Sequence, residues 1–282
     1  MKKLSINPIG GLANRMRAIA SGISLAHELD ADFEIIWAVN DELYARFDDI
    51  FEVPDILKNK IHYPGKIKYA FSYSVPRKKN LFVSSIFLRR FSKCLLSDTK
   101  DWRLTECEGK SSLLKYFSHT KDINGYIQGG TNFFPYERSF YRSLFCPKTN
   151  IQAEIDEAVL KMGPVRTGVH IRRTDNTKSI CHSPLEVFEE KIISLLENNP
   201  EMKFYLATDS EIVKSNFKML FKKVLICDDN PASRTTLSGI KCAVKEMFIL
   251  SRCQTIYGSY YSSFSEAAAL LGDAKLETIY RP

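Results

Sequence analysis

The sequence predicts an α/β protein built on parallel sheets with helices on both faces. Three observations carry this. Short apolar strands alternate with helical patterns through the second half of the chain. The first half opens the same way, as strand, tight loop, long helix and strand. Polar residues then collect just after the strands, where open parallel sheets bind ligands.

Taken in order, Leu4-Ser5-Ile6 reads as a strand and Pro8-Ile9-Gly10-Gly11 as a tight loop. Residues 13–29 form a long helix, and Phe33-Glu34-Ile35-Ile36-Trp37 is a second strand. The pattern then loosens until Gly125-Tyr126-Ile127-Gln128-Gly129-Gly130. A boundary is expected between residues 145 and 163, giving an N-terminal domain over 1–150 and a C-terminal domain over 151–282. Beyond it, Gly168-Val169-His170-Ile171 is a buried strand. Ser183 is a plausible N-cap, Pro184 the first helical position, and Glu186 completes a capping box. Leu185, Phe188, Ile192, Leu195 and Leu196 share one face of that helix. Strands at 204–207, 224–227, 255–257 and 276–280 alternate with helices at 211–221, 239–251 and 265–271. Right-handed crossovers make such a sheet Rossmann-like.

The composition suits a chain with a full core. It has 282 residues, 44% hydrophobic and 26% charged. No apolar run is long enough to cross a bilayer. The basic N-terminus is broken at once by Asn7, Pro8 and glycines, so it does not read as a signal peptide. Seven cysteines at irregular spacing point to reduced thiols in a cytoplasm. The net charge of +7 is unevenly spread. Residues 56–97 lack Asp and Glu and carry Lys58, Lys60, Lys66, Lys68, Arg77, Lys78, Lys79, Arg89, Arg90 and Lys93, so the rest of the chain is net acidic. Aromatics are interleaved, and residues 85–96 are compatible with a basic amphipathic helix. That suits peripheral contact with an anionic membrane or an acidic acceptor. It is equally read as a solvated basic face. Nucleic acid is not expected as a partner, because it leaves the strand-end motifs unexplained.

Three motifs carry candidate chemistry. In His170-Ile171-Arg172-Arg173-Thr174-Asp175, two arginines stand at a strand end. A guanidinium grips phosphate with a bidentate fork and keeps its charge. Alternation puts Arg172 on the face of His170. One arginine is expected to reach a ligand and the other to pair with Asp175 or another carboxylate. The plainer reading is a surface ion-pair cluster. In Gly10-Gly11-Leu12-Ala13-Asn14-Arg15, glycines allow close approach to a helix N-terminus, although a simple strand-to-helix turn needs the same residues. In Ser259-Tyr260-Tyr261-Ser262-Ser263-Phe264, hydroxyls and amides at a helix start form either an anion cradle or an ordinary N-cap. Asp30-Ala31-Asp32 falls at the wrong end of its strand for a metal site and reads as a turn. No Cys/His spacing suits zinc, so no metal is expected.

Together these segments are more specific than any one alone. The chain resembles the fucosyltransferase superfamily of α1,6-fucosyltransferases, nodulation fucosyltransferases and protein O-fucosyltransferases. His170 to Asp175 is similar to its first motif, Tyr205-Leu206-Ala207-Thr208-Asp209 to the second and Tyr261-Ser262-Ser263-Phe264 to the third. Gly10 to Arg15 is similar to a glycine loop near the start of these enzymes. The match covers most of the chain except about residues 45–120.

The resemblance implies a GT-B-type fold, two Rossmann-like domains facing a cleft, with the N-terminal domain on the acceptor side. It implies an inverting glycosyltransferase that uses GDP-fucose without a metal or other cofactor, acting on a glycan or glycolipid acceptor. Arg172 and Asp175 would be catalytic. His170, Arg173, Asp209, Asp229, Ser262, Ser263 and Phe264 would hold the donor, approached by Gly10, Gly11, Asn14 and Arg15 from the other domain. One departure stands out: the segment 176–182 lacks the glutamate proposed as general base in the α1,6 enzymes. Asp175, Asp209 and His182 are the remaining candidates for that role.

Overall fold

The computed structural model describes residues 2–73, 88–97, 102, 109–118, 123–163, 166–174, 176–230 and 232–281. They divide into two compact units, Met1–Cys146 and Pro147–Pro282.

In chain order the first unit has strands β1 (Lys3–Pro8), β2 (Asp32–Ile36), β3 (Phe51–Glu52), β4 (Ile61–His62), β5 (Lys93–Leu96) and β6 (Asn124–Gly129). Five of them form one sheet in the order β4-β2-β1-β6-β5, and its pairings are parallel. The central strand β1 is buried on both faces: Leu4, Ser5, Ile6 and Asn7 are all inside. Its polar members are therefore partnered. The Ser5 hydroxyl donates to Glu34 at 2.6 Å, and the Asn7 amide donates to Tyr126 Oη at 2.7 Å. Helix Leu12–Glu28 covers β1 with Leu12, Met16, Ile19 and Ile23, spaced to share one face. The turn between them needs Gly10, whose φ of +84° lies in the left-handed region.

One feature differs from the sequence expectations here. Residues 93–96 are strand β5, paired in parallel with β6, rather than the end of a basic helix. Leu95 is wholly buried in that strand, and a short apolar run fits either period equally well. Of the rest of that proposed helix, residues 85–87 lie outside the described residues and residues 89–92 form turns and bends. The Asp30-Ala31-Asp32 segment is a turn as expected, with Asp30 at φ +51° and Asp32 hydrogen-bonded to Lys60.

At the passage between units, β7 (Cys146–Pro147) pairs with β3 in a small two-stranded sheet. The second unit then carries β8 (Arg166–Ile171), β9 (Lys203–Thr208), β10 (Leu225–Cys227), β11 (Thr255–Ser259) and β12 (Lys275–Ile279). They form one parallel sheet in the order β10-β9-β8-β11-β12. The chain runs outward in one direction from β8 and then restarts on the other side at β11. That reversal is the switch point beside which doubly wound sheets bind ligands.

Strand alternation sorts the two faces. Val169, Ile171, Phe204 and Leu206 pack against Val187, Phe188 and Ile192 of helix Leu185–Asn198 and Val213 and Phe217 of helix Glu211–Leu220. The opposite face holds Gly168 and His170. There Gly168 lies against Leu250 of helix Leu237–Ser251, and the His170 ring stacks on Phe264 of helix Ser263–Leu271. Gly258 lets that last helix close on β11, since an added Cβ would stand 2.7 Å from Ser265 Oγ. The N-cap of helix Leu185–Asn198 is Pro184 rather than Ser183. The Ser183 hydroxyl is engaged elsewhere, donating to Ile279 O and accepting from Tyr260 N. A short helix, Thr177–His182, goes beyond the sequence expectations.

Candidate functional site

The carboxyl ends of β8, β9 and β11 meet in one polar constellation. Its hub is Asp209, just past β9. One carboxylate oxygen accepts from the Arg173 amide at 2.8 Å. The other accepts from the Thr174 hydroxyl at 2.7 Å and its amide at 3.3 Å, and meets the Arg172 guanidinium at 2.6 Å. One side chain thereby fixes the backbone leaving β8 and orients its first arginine. The other wall is Ser259 at the end of β11. Its hydroxyl accepts from the Arg172 amide at 3.0 Å and donates to the His170 carbonyl at 3.3 Å. Arg172 is thus held from both sides of the switch point, with 15% of its side chain exposed.

Below it, His170 is buried, stacked on Phe264 with ring centroids 4.8 Å apart. Burial, aided by the nearby Arg172 charge and opposed by Asp209, pushes its pKa down to about 4. The imidazole is therefore neutral at physiological pH, and its Nδ1 lies 3.4 Å from Ser262 Oγ. Ser262 occupies the N-cap position of helix Ser263–Leu271, yet its hydroxyl makes no cap hydrogen bond because it turns to His170. The amides of the first turn have no intrahelical acceptor and carry the positive end of the helix dipole. A guanidinium and a helix N-terminus at one switch point make a favourable environment for an anion.

The Tyr261 turn before that helix is pinned from outside. Tyr261 itself has a φ of +55°. Asn176 Nδ2 donates to its carbonyl at 2.8 Å, and Ser179 Oγ donates to the Tyr260 carbonyl. Asn176 also caps helix Thr177–His182.

No family model and no curated protein matches the chain. Solved structures do. The fucosyltransferase NodZ from Bradyrhizobium superposes with a TM-score of 0.60 over 96% of this chain and 93% of its own, at 19% identity. A mutant of Arabidopsis thaliana FUT1 in complex with GDP gives 0.62 over 100% and 70%, at 16% identity. POFUT1 in complex with GDP-fucose gives 0.56 over 99% and 98%, at 9% identity. The chain has the fold of these fucosyltransferases.

Within that fold, the structure brings together Arg172, Asp209, His170, Ser262 and Phe264, which lie up to 94 positions apart in the sequence. Arg173 turns away from Asp209. Its Nη2 donates to the Ser183 carbonyl, and its Nε is buried without a hydrogen-bond partner. The arginine on the His170 face is thus the one that pairs with a carboxylate, Asp209. Asp175 lies outside the described residues. His182 packs its ring against Tyr260 at 4.9 Å.

Two candidate residues have surroundings that the sequence did not suggest. The Asp229 side chain is 88% exposed and paired with Lys218, whereas that of its neighbour Asp228 is 7% exposed and held by Lys245. The loop after β10 is built on Asp228, with Lys214 Nζ donating to the Asn230 carbonyl at 3.0 Å. Arg15 is buried. Its Nε donates to Gly10 O at 2.8 Å and its Nη2 to Asn40 Oδ1 at 2.8 Å, and its Nη1 reaches Ala38 O. Burial lowers its pKa to about 10, so it remains charged, tying the Gly10-Gly11 loop to the segment after β2. Asn14 instead accepts from Arg17 at 2.8 Å, and Arg17 Nε reaches Gly130 O at 2.8 Å. The Gly10 amide donates to Glu42 at 2.8 Å. Among the described residues no cluster of three His, Cys, Asp or Glu is placed to hold a metal.

Sequence reasoning passed over Ser259 as an anchor, together with Asn176 and Ser179. For Ser259 a signal existed, a hydroxyl at the end of a buried strand. For the other two, the contact depends on a helix too short to show a period.

Proposed function

We propose that the chain is a glycosyltransferase that moves fucose from GDP-fucose to a glycan or glycolipid acceptor, with inversion and without a metal. The observation that carries this reading is the convergence of Arg172 and the Ser262-Ser263 helix start on one switch point. It stands in a fold that NodZ and POFUT1 share, both with structures prepared with GDP-fucose. In the reaction an acceptor oxygen forms a bond to the anomeric carbon. The bond from that carbon to the β-phosphate oxygen breaks, and its electron pair leaves with GDP. The growing charge on that oxygen is met by the Arg172 guanidinium and the first amides of helix Ser263–Leu271, oriented before the reaction starts. The acceptor proton passes to a carboxylate, a histidine or solvent; Asp175 and His182 remain the candidates, since Asp209 is occupied as the clamp of Arg172 and Thr174.

Calorimetry with GDP, UDP, ADP and CMP tests the donor class. Preference for GDP is the expected outcome, and tighter binding of any of the others contradicts fucose transfer from GDP-fucose. The acceptor is proposed to be reached from the cytoplasm, with the basic segment resting on an anionic membrane. Helix Lys66–Ser72 supports that contact, because Ile67 and Phe71 stand 78% and 51% exposed one turn apart, beside Lys66 and Lys68. Co-sedimentation with phosphatidylserine vesicles is expected at low salt and should fade at high salt. Failure to sediment at low salt removes the idea.

A further inference from the structure

The second unit carries an aromatic surface that the donor reading leaves unused. Tyr260, Tyr261 and Tyr280 are 36%, 64% and 52% exposed, while Phe188, Phe204 and Phe217 of the same unit are buried. Tyr260 stands at the centre, with ring centroids 6.2 Å from Tyr261 and 5.7 Å from Tyr280. His182 flanks it, and the Lys178 ammonium lies 4.5 Å from the Tyr261 ring centroid.

This surface is held in place. The Tyr260 amide donates to Ser183 Oγ at 2.8 Å, and Asn176 and Ser179 bind the carbonyls of Tyr261 and Tyr260. Tyr261 keeps a left-handed backbone, which a bulky residue adopts only when its surroundings enforce it. Rigid aromatic rings facing water suit a partner that needs little further ordering.

The chemistry narrows that partner. A phenol ring presents an electron-rich face and a polar tip. A pyranose presents a face of weakly positive C–H bonds rimmed by hydroxyls, which is its complement. Position narrows it further. Tyr261 immediately precedes Ser262, so the platform begins one residue, about 4 Å along the backbone, from the helix start assigned to the diphosphate. An acceptor must bring a hydroxyl to the anomeric carbon attached to that diphosphate.

We propose that Tyr260, Tyr261 and Tyr280 form a platform on which a pyranose ring of the acceptor glycan stacks. This rests on the donor reading given above. The test probes an array of immobilised neutral mono- to tetrasaccharides with the whole protein in the presence of GDP, alongside GDP titration calorimetry. The wild type is expected to bind a subset of glycans. Tyr261→Ala and Tyr280→Ala should lower those signals at least tenfold, with GDP affinity within threefold of wild type. Tyr261→Phe and Tyr280→Phe, which keep the ring face, should retain most of the signal. Two outcomes overturn the platform while leaving the donor reading intact: GDP binding with no glycan bound by the wild type, or glycan signals unchanged in both alanine variants. A Tyr261→Ala variant whose GDP affinity collapses also overturns it, by assigning the ring to the donor.

Discussion

In the proposed reaction, Arg172 is the residue on which the chemistry turns. Its guanidinium is pre-oriented by Asp209 at 2.6 Å and its amide by Ser259 at 3.0 Å. Removing one preorganised donor to a developing oxyanion costs about 10²–10³ in rate. Arg172→Ala should therefore lose transfer by at least that factor while its circular dichroism stays that of the wild type; near-normal turnover contradicts its role. Asp209→Asn should also be impaired, because the amide cannot accept all four of the contacts the carboxylate makes. Two buried groups set a pH signature. His170 has a folded pKa of about 4 against about 6.5 unfolded, so the unfolded chain binds more protons between those values. Its contribution is complete above pH 6.5 and falls away toward pH 4, on the order of 3 kcal/mol. Glu246 runs the other way. Burial raises its pKa to about 8, so the folded chain holds the proton and stability is lost as pH rises from about 4.5 to 8. The two slopes oppose each other between about pH 4.5 and 6.5, so urea unfolding of the wild type should show a net loss of stability mainly from about pH 6.5 to 8. Glu246→Gln should flatten that loss and uncover the acid limb of His170 between about pH 6.5 and 4.

At the scale of elements, the turn leading into helix Ser263–Leu271 is the structure most exposed to test. Gly258→Ala puts a Cβ 2.7 Å from Ser265 Oγ, and the helix must shift or Ser265 must rotate. Overpacking of this kind costs about 1–3 kcal/mol, read as a fall in melting temperature; an unchanged melting temperature contradicts the close approach. Asn176→Ala removes the pin on the Tyr261 carbonyl and the cap of helix Thr177–His182. It should weaken GDP binding several-fold through the displaced helix start, measured by calorimetry. The strands were legible because a parallel sheet buries both faces and leaves continuous apolar runs such as Phe204-Tyr205-Leu206-Ala207. Strand β5 was not, since Lys93 to Leu96 carries too few residues to fix a period, and only its pairing with β6 makes it a strand. Ser183 shows the same limit: its spacing to Glu186 fits a capping box, yet a carbonyl 96 positions away takes its hydroxyl.

At the scale of the whole molecule, each unit is built on a five-stranded parallel sheet, and the second has the strand order 3-2-1-4-5 of a doubly wound sheet. Local pattern placed Arg172, Ser262 and Phe264 in the candidate site because strand ends and helix starts are written in short segments. For Arg15, a position in the first helical turn gives no hint that Ala38 and Asn40 close around it. Local pattern favoured Asp229 over Asp228, since which of two adjacent carboxylates faces inward is decided by Lys245, 17 positions later. The central claim is transfer from GDP-fucose by Arg172 and the Ser262-Ser263 helix start. Its most direct measurement is GDP release from GDP-fucose by the purified wild type and by Arg172→Ala, with a chelator present and with water or pooled glycans as acceptor. The account predicts steady release by the wild type, stimulated by glycans and reduced at least a hundredfold in the variant. No release from GDP-fucose under either condition, together with turnover of a different nucleotide sugar, contradicts it.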